Sequence, residues 1–410
     1  MQTGELKGMA APSPEHLQFD PRRLGMIART LLVVALAGLL TSSFYLLLVG
    51  LAVIRFRKKR QPCMPAELPP VTLLKPVRGI EPQLRDSLES FFRLDYPRFE
   101  IIFGARTADD PALAIVRELI RIHPQVAVKL VISGEPAWPN AKCWSLMRMV
   151  NEASFHHLVI SDSDVEVARD YLRHLIPPLV EPGVACVTTV YRGKPADGLW
   201  ARLEALGMSV EMTSGVLVAE MLEGMKFALG PTMAVRREVL QEIGGFAKFA
   251  EYCSDDFLMG KWIAAAGYKV VLSSHVIDHV IRHESLRQSV IHQTRWMKST
   301  RYSRPKGHLG MALTFAMPYG VLGLLAGAVS GKPLLGGIIF AATWLNRVLL
   351  SIVAGWGAVH DPRSLYNCWL YPLRDFMGFG FWLASYFSDK IRWRGEHYRL
   401  EVGGKMVRIT

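Results

Sequence analysis

Cysteine is scarce in this chain: five in 410 residues, at positions 63, 143, 186, 253 and 368, with no CxxC spacing. That excludes paired-cysteine zinc and thiol-redox motifs, and it fits free thiols in a reducing compartment. Also missing are the GxGxxG fingerprint and the GxxxxGK(S/T) loop, the nearest approach being GAVSGK followed by proline inside an apolar stretch. Dinucleotide-dependent redox chemistry and P-loop phosphoryl transfer lose their main support. There is no internal repeat and no low-complexity tract, so solenoid architectures fall away. Acidic residues are the minority charge, 36 against 48 Lys plus Arg, giving a net charge of +12 and a pI near 9.5. This balance suits an anionic membrane face or a phosphorylated small molecule. For nucleic acid only the net charge speaks, and no such partner is expected.

What is present in quantity is apolar surface: half the residues are hydrophobic and the mean hydropathy is +0.19. The uncharged run 30–54, TLLVVALAGLLTSSFYLLLVGLAVI, is long enough to cross a hydrocarbon core of about 30 Å, and it predicts a transmembrane helix over 26–56 behind a flexible segment 1–25. A cleaved signal peptide would start closer to the N-terminus and have a shorter apolar core. Arg55, Arg57, Lys58, Lys59 and Arg60 follow the run, against a sparser Arg22, Arg23 and Arg29 before it. The positive-inside rule then places the following domain in the cytoplasm, as in a multi-pass protein of a bacterial inner membrane. Further apolar stretches occupy 309–331 and 333–359, within a region of C-terminal membrane helices set at 309–388. A third stretch, 371–388, carries Arg374 and Asp375 near its start and precedes a basic tail, 389–410. A full crossing there would put that tail outside, against the same rule.

Between the apolar regions, strand and helix signals alternate. VTLLKP, FEIIFGA, VAVKLVIS and HLVISDSDVEV read as strands, separated by the helical PQLRDSLESFFRL, PALAIVRELIRIH and CWSLMRMVNEA. FALGPTMAVRREVL and YKVVLS read as later strands, and 200–226 as an amphipathic segment. This rhythm predicts an α/β domain over 71–285, with a mostly parallel, Rossmann-type sheet covered by helices on both faces. Such sheets bind ligands beyond the carboxyl ends of their strands.

Asp162 and Asp164 fall at one such end, in SDSD. On an extended strand, side chains at i and i+2 point the same way, so both carboxylates could address one hard dication, Mg²⁺ or Mn²⁺, able to neutralise a diphosphate. The plainer reading is a pair of loop or capping aspartates. Asp255 and Asp256 precede the helical FLMGKWIAAAG, where capping accounts for one of them more readily than for both. Asp109 and Asp110 precede a proline-started helix and read as caps. The stretch 286–308 interleaves Arg295, Lys298, Arg301, Arg304 and Lys306 with Trp296 and Tyr302; snorkelling at a membrane interface and phosphate binding both fit it. His275, His279 and His283 recur every four residues, in a strand-to-loop segment where that spacing does not converge them on a metal.

The order of these pieces (DDP, strand plus DSD, DD before a helix, RW, then apolar runs) resembles the lipid and processive glycosyltransferases with a D, DxD, D, (Q/R)xxRW pattern. The chain is most similar to the ceramide glucosyltransferase family, glycosyltransferase family 21, including its bacterial hopanoid-biosynthesis-associated members. The likeness runs from residue 71 to the C-terminus, through LLKPVRGIEP, SFFRLDYPRFEIIFGARTADDPA, SDSD, CSDDFLMGKWI, the RW motif and WRGEHYRL. It implies a GT-A-type fold and an inverting, membrane-bound transfer of a sugar, N-acetylglucosamine or glucose, from a UDP-sugar to a hydroxyl of a membrane lipid such as a hopanoid. By the same likeness Asp110 would contact the nucleoside, Asp162 and Asp164 would hold metal and diphosphate, and Asp256 would be the catalytic base. Lys75 and Arg78 would lie on the donor side, and His292, Arg295 and Trp296 would form the diphosphate or acceptor motif. His292 stands where the family has Gln or Arg. A histidine that animal ceramide enzymes carry between DSD and the last aspartate has no assigned counterpart, which counts against ceramide as acceptor. The rival readings are a ceramide glucosyltransferase, a processive polysaccharide synthase and a non-enzymatic membrane scaffold.

Overall fold

The computed structural model describes residues 21–59, 64–281, 285–393 and 396–409. Arg60, Cys63, His283 and Arg394 lie outside the described residues. The first element is a helix, Pro21–Arg57, whose 37 residues span about 55 Å at 1.5 Å per residue. It begins five residues earlier than 26, so 21–25 are helical. Val33, Leu36, Leu40, Phe44, Leu47 and Leu51 are exposed, an apolar outer face suited to lipid, whereas Ala35, Val49, Ala52 and Val53 are buried inward.

Eight strands then build one sheet: β1 Val71–Pro76, β2 Phe99–Ala105, β3 Ala127–Ile132, β4 His157–Ser161, β5 Val165–Glu166, β6 Val184–Pro195, β7 Thr232–Arg236 and β8 Lys269–Ile281. Their order is β3-β2-β1-β4-β7-β6-β8-β5. The first four strands in that order are parallel; β7 runs antiparallel to both β4 and β6, β8 is parallel to β6, and β5 is antiparallel to β8. The expected α/β sheet is therefore present, with an antiparallel insertion. Alternation along the strands supplies both faces: Val71, Leu73, Ile101, Phe103 and Val159 enter one core, and Leu74, Ile102, Leu158 and Ile160 the other. Two strand readings need correction. FALGPTMAVRREVL is strand only at β7, because Arg237–Glu242 is helical. The DSD residues lie in a turn between β4 and β5, not on extended chain.

The segment 200–226 becomes a helix over Gly198–Glu223, broken by a π-helical stretch at Gly207–Met212. It is long and apolar enough to cross a membrane. It joins β6 to β7, however, and these are paired strands of one sheet. Both its ends therefore lie on the sheet's side.

The C-terminal apolar region holds a bent pair, Pro305–Leu313 with Met317–Val329 at 42°, followed by the apolar helix Pro333–Trp356. Added β-carbons at Gly327 and Gly336 would meet the facing backbone at 2.9 Å and 2.8 Å, so glycine lets Met317–Val329 and Pro333–Leu350 approach closely. The hairpin returns to the sheet, where Asp361 accepts a hydrogen bond from Ser209 at 2.8 Å. The break before Met317 leaves backbone groups needing partners in an apolar setting. Asp375 accepts from the Ala316 and Met317 N–H groups at 3.0 Å and 2.9 Å, and Arg347 donates to the Thr314 carbonyl at 2.8 Å and pairs with Asp375 at 3.1 Å. Arg347 and Asp375 are 1% and 3% exposed. Because removing one member of a buried pair strands the other, Arg347→Met should cost roughly 3–5 kcal/mol in detergent unfolding. Arg347→Met with Asp375→Asn should cost less than the two single losses added; simple additivity would contradict the coupling.

Arg374 and Asp375 thus resolve the third apolar stretch. Tyr371–Ala384 is 14 residues, about 21 Å at 1.5 Å per residue and shorter than a hydrocarbon core of about 30 Å. Its two charges are buried in pairs, Arg374 with Glu211 at 2.9 Å. Beyond it the expected basic tail is a three-stranded antiparallel sheet, β9 Lys390–Trp393, β10 Glu396–Glu401 and β11 Lys405–Arg408. This sheet docks on the α/β domain: the Cys253 N–H donates to the Gly404 carbonyl at 3.1 Å, and that of Met406 to Glu251 at 2.6 Å. The C-terminal sheet and the α/β domain are therefore packed against each other.

Candidate active site

The chain order of the sheet reverses between β1 and β4, the place where doubly wound sheets open a crevice. Lys75 from β1 and Asp162 just after β4 meet there. Lys75 is fully buried; its ammonium donates to the Asp162 carbonyl at 2.7 Å and lies 3.5 Å from the Phe91 ring centroid. Burial pulls its pKa down to about 7, against the opposing pull of Asp162 and Asp164. Such a lysine fixes the DSD turn from below. Lys75, expected on the donor side, lies fully buried beneath Asp162.

The two DSD carboxylates take different partners. Asp162 Oδ1 receives Lys142 at 2.5 Å, and Asp164 Oδ2 lies 3.2 Å from His279 on β8. Burial opposes charge on Asp164, but the adjoining His279 outweighs it and holds the carboxyl below its ordinary value. His279 is pushed down by burial and, more strongly, up by Asp164, and ends above its ordinary value. Both directions describe one ion pair.

Asp255 and Asp256 open the helix Asp255–Ala265. Asp255 Oδ1 accepts from Asn140 Nδ2 at 3.1 Å, while the Asn140 side-chain oxygen caps the helix Ala141–Asn151 through the Lys142 and Cys143 N–H groups at 3.1 Å each. Asp256 accepts from the Phe257 N–H at 2.8 Å. Burial, then the charge of Asp255, raises its carboxyl to about 6. Two neighbouring groups feel several of these carboxylates at once. The ammonium of Lys142, pushed down by burial, is held above its ordinary value by Asp162, Asp255 and Asp256. The phenol of Tyr191, raised first by burial, is raised further by Asp256, Asp162 and Asp164. The site is a part-buried acidic cluster in which Lys142 meets Asp162 and His279 meets Asp164. A β-carbon on Gly230 would sit 2.8 Å from Asp256 Oδ2. Gly230→Ala should displace that carboxylate and lower turnover at least about tenfold with little change in melting temperature, as paired kinetic and unfolding runs would show.

Other expected residues are placed differently. Asp110 caps the helix Pro111–Ile122 through Ala112 N–H at 3.0 Å, and also accepts from Gly79 N–H at 2.9 Å, joining that helix to the loop after β1. Arg78, beside that glycine, is exposed. His292 approaches buried Glu204 at 2.9 Å through Nδ1 and packs on Trp296, anchoring the helix Leu286–Ser303 to Gly198–Leu206. Arg295 lies over the Trp393 ring at 5.7 Å, Lys298 donates to the Lys390 carbonyl at 2.8 Å, and Arg301 to that of Ser385 at 2.6 Å. These contacts tie the helix Leu286–Ser303 to the C-terminal parts of the chain. His283 lies outside the described residues; of the other two histidines, His279 joins Asp164, while His275 stacks on His174.

Lys142, Asn140 and Tyr191 are not singled out by sequence, and His279 is marked there only as part of the histidine repeat. Lys142 left a trace: a lysine in a helix's first turn opposes the dipole and needs a carboxylate opposite it. His279 left the four-residue histidine spacing, which on a strand keeps both rings on one face.

Whether the cluster suits a dication can be judged from its donors. Asp164 Oδ1 is buried and has no hydrogen-bond partner among the described residues. A buried, unsatisfied carboxylate oxygen beside a second carboxylate is the kind of donor that hard oxygen-seeking ions take. Asp162 and Asp164 fit the group.

A curled, parallel-dominated sheet with an acidic cluster at its switch point, joined to apolar helices, has the GT-A glycosyltransferase fold. Residues 30–406 match Glycosyl transferase family 21, and the chain belongs to that family of sugar-transfer enzymes. It is 25% identical over 352 residues to ceramide glucosyltransferase 1 of Caenorhabditis elegans, covering 83% of this chain and 73% of that protein. Ceramide glucosyltransferase 3 of the same organism is 24% identical over 405 residues, covering 97% and 87%. Among solved structures, the chain is similar to a mannosyltransferase from Pyrobaculum calidifontis in complex with GDP-Man and Mn²⁺. That match has 20% identity and a TM-score of 0.48, and covers 86% of this chain and 98% of the other.

Proposed function

We propose that this chain transfers a sugar from a UDP-sugar to a hydroxyl of a membrane lipid, with inversion at the anomeric carbon. The carrying observation is the part-buried cluster of Asp162, Asp164 and Asp256 at the sheet's switch point, in a chain with helices apolar enough to lie in a membrane. Asp162 and Asp164 would hold Mg²⁺ or Mn²⁺, which when bound supplies the positive charge that stabilises a departing diphosphate. The remaining work falls to the chain's own groups. Lys75 and Lys142 hold the DSD turn in register. Asp256, with its raised carboxyl, takes the proton of the lipid hydroxyl as that oxygen attacks the face opposite UDP.

For the acceptor we infer a hopanoid polyol and for the donor UDP-N-acetylglucosamine, readings that rest on the resemblance to the hopanoid-associated members. The names of the two nematode relatives favour glucose and ceramide as the second reading. Purified protein incubated with labelled UDP-N-acetylglucosamine or UDP-glucose, and with hopanoid or ceramide, decides between them by mass spectrometry of the lipid product. Transfer only to ceramide would discard the first reading, and no lipid product with any pair would discard both.

We place the α/β domain on the cytoplasmic face of a bacterial inner membrane, on the strength of Arg55, Arg57, Lys58 and Lys59 after the first helix. Protease added to sealed, right-side-out cells should spare residues 71–300, and the β9–β11 sheet with them. Cutting in either region without lysis contradicts this topology.

A further inference from the structure

We propose that Asp170, His174 and His275 form a second metal site, selective for a zinc-class dication and separate from the carboxylate cluster. One ligand atom from each lies within 4.8 Å of the other two. Asp170 Oδ2 and His174 Nε2 stand 3.0 Å apart. That is the chord two metal bonds of about 2.1 Å span when they meet near a right angle. Bonds of that length reach atoms up to roughly 4.2 Å apart, so binding draws the third ligand in and turns the two stacked rings toward a shared point.

An aspartate and a histidine four residues apart at the start of a helix are commonly just a surface pair. Three observations go beyond that here. The third ligand comes from another element, β8, whose His275 ring stacks on His174 at 4.8 Å. His275 Nε2 is buried and has no hydrogen-bond partner among the described residues. A cavity of about 290 Å³ adjoins both rings, with His360 and Arg192 also on its wall, leaving space for an ion and its waters. Arg192 does not make this an anion site, because its guanidinium is paired with Asp278 through both Nε and Nη2.

Donor chemistry separates the two sites. Two imidazoles with one carboxylate favour Zn²⁺ or Co²⁺, whereas the oxygen donors of Asp162 and Asp164 favour Mg²⁺ or Mn²⁺. His275 and His279 are four residues apart on β8, about 13 Å at 3.3 Å per residue, so one ion cannot serve both. A metal at the new site would fasten the helix Tyr171–Leu179 to the strand that carries His279.

The test uses the full chain in detergent micelles, stripped of metal and titrated with Co²⁺ while excess Mg²⁺ occupies hard oxygen sites. Bound cobalt is read by equilibrium dialysis and by visible d–d absorption. The wild type and Asp164→Asn should each bind one Co²⁺ with the same spectrum. His174→Ala, His275→Ala and the exposed-site variant Asp170→Asn should each weaken binding at least about tenfold. Asp170→Asn and His174→Ala guard against a folding artefact, since their melting temperatures without metal should match the wild type. No cobalt bound by the wild type, unchanged binding in the histidine variants, or loss of the spectrum in Asp164→Asn would each overturn the proposal.

Discussion

Replacing Asp256 by asparagine should leave metal-dependent UDP binding in place while sugar transfer falls by a factor on the order of 10² to 10⁴. The amide keeps the size of the side chain and its hydrogen bond from the Phe257 N–H, but it cannot accept a proton. The pH profile gives the same assignment independently. Burial and then Asp255 raise the Asp256 carboxyl from its ordinary value to about 6. The ionised form is the one that works as a base, so kcat/KM should fall as pH drops through about 6 and level off above it. In Asp256→Asn that acid limb should vanish from the residual rate. Normal transfer by this variant, or an unchanged acid limb, would move the base elsewhere, with the hydrogen-bonded neighbour Asp255 the first residue to examine.

Asp164→Asn should fail at the earlier step, donor binding. A neutral amide is a poorer ligand for a hard dication, and the substitution also strips His279 of the carboxylate that keeps it charged. Calorimetry of UDP with and without Mn²⁺ should show the metal-dependent part of the affinity reduced at least about tenfold. EDTA should abolish turnover of the wild type for the same reason. Undiminished turnover in a thoroughly chelated sample would remove the metal from the reaction. Metal-dependent UDP binding intact in Asp164→Asn but lost in Asp256→Asn would reverse the division between the two acidic positions.

The local features were legible. Runs such as VTLLKP and FEIIFGA read as buried strands because parallel strands with both faces covered are apolar throughout, and they are β1 and β2. Asp110 before Pro111 read as a helix cap, and it is one. The four aspartates at 162, 164, 255 and 256 stood out because carboxylates beside apolar segments are costly without a task or a partner. Their partners were not legible. Lys142 faces Asp162 only because the helix after β3 returns toward β4 across the switch point, and His279 reaches Asp164 only because β8 pairs with the two-residue β5.

Membrane topology divides the same way. Hydropathy identifies Gly198–Glu223 as long and apolar enough to cross, but the pairing of β6 with β7 keeps both its ends on one side. Arg374 and Asp375 looked like charges entering hydrocarbon, and they are members of buried pairs with Glu211 and Arg347. The tail is marked in sequence only by its basic charge, yet it is a sheet hydrogen-bonded to the loop that leads into Asp255 and Asp256.

By itself, then, the sequence determined the α/β rhythm, the apolar helices, the helix caps and the acidic positions, because periodicity, hydropathy and capping act within a few residues of one another. Tertiary structure alone decided which cation meets which carboxylate, which apolar helix stays on the sheet's side and where the C-terminus docks. Those outcomes depend on strand order and crossover, which bring residues far apart in the chain to within bonding distance and leave no local pattern behind.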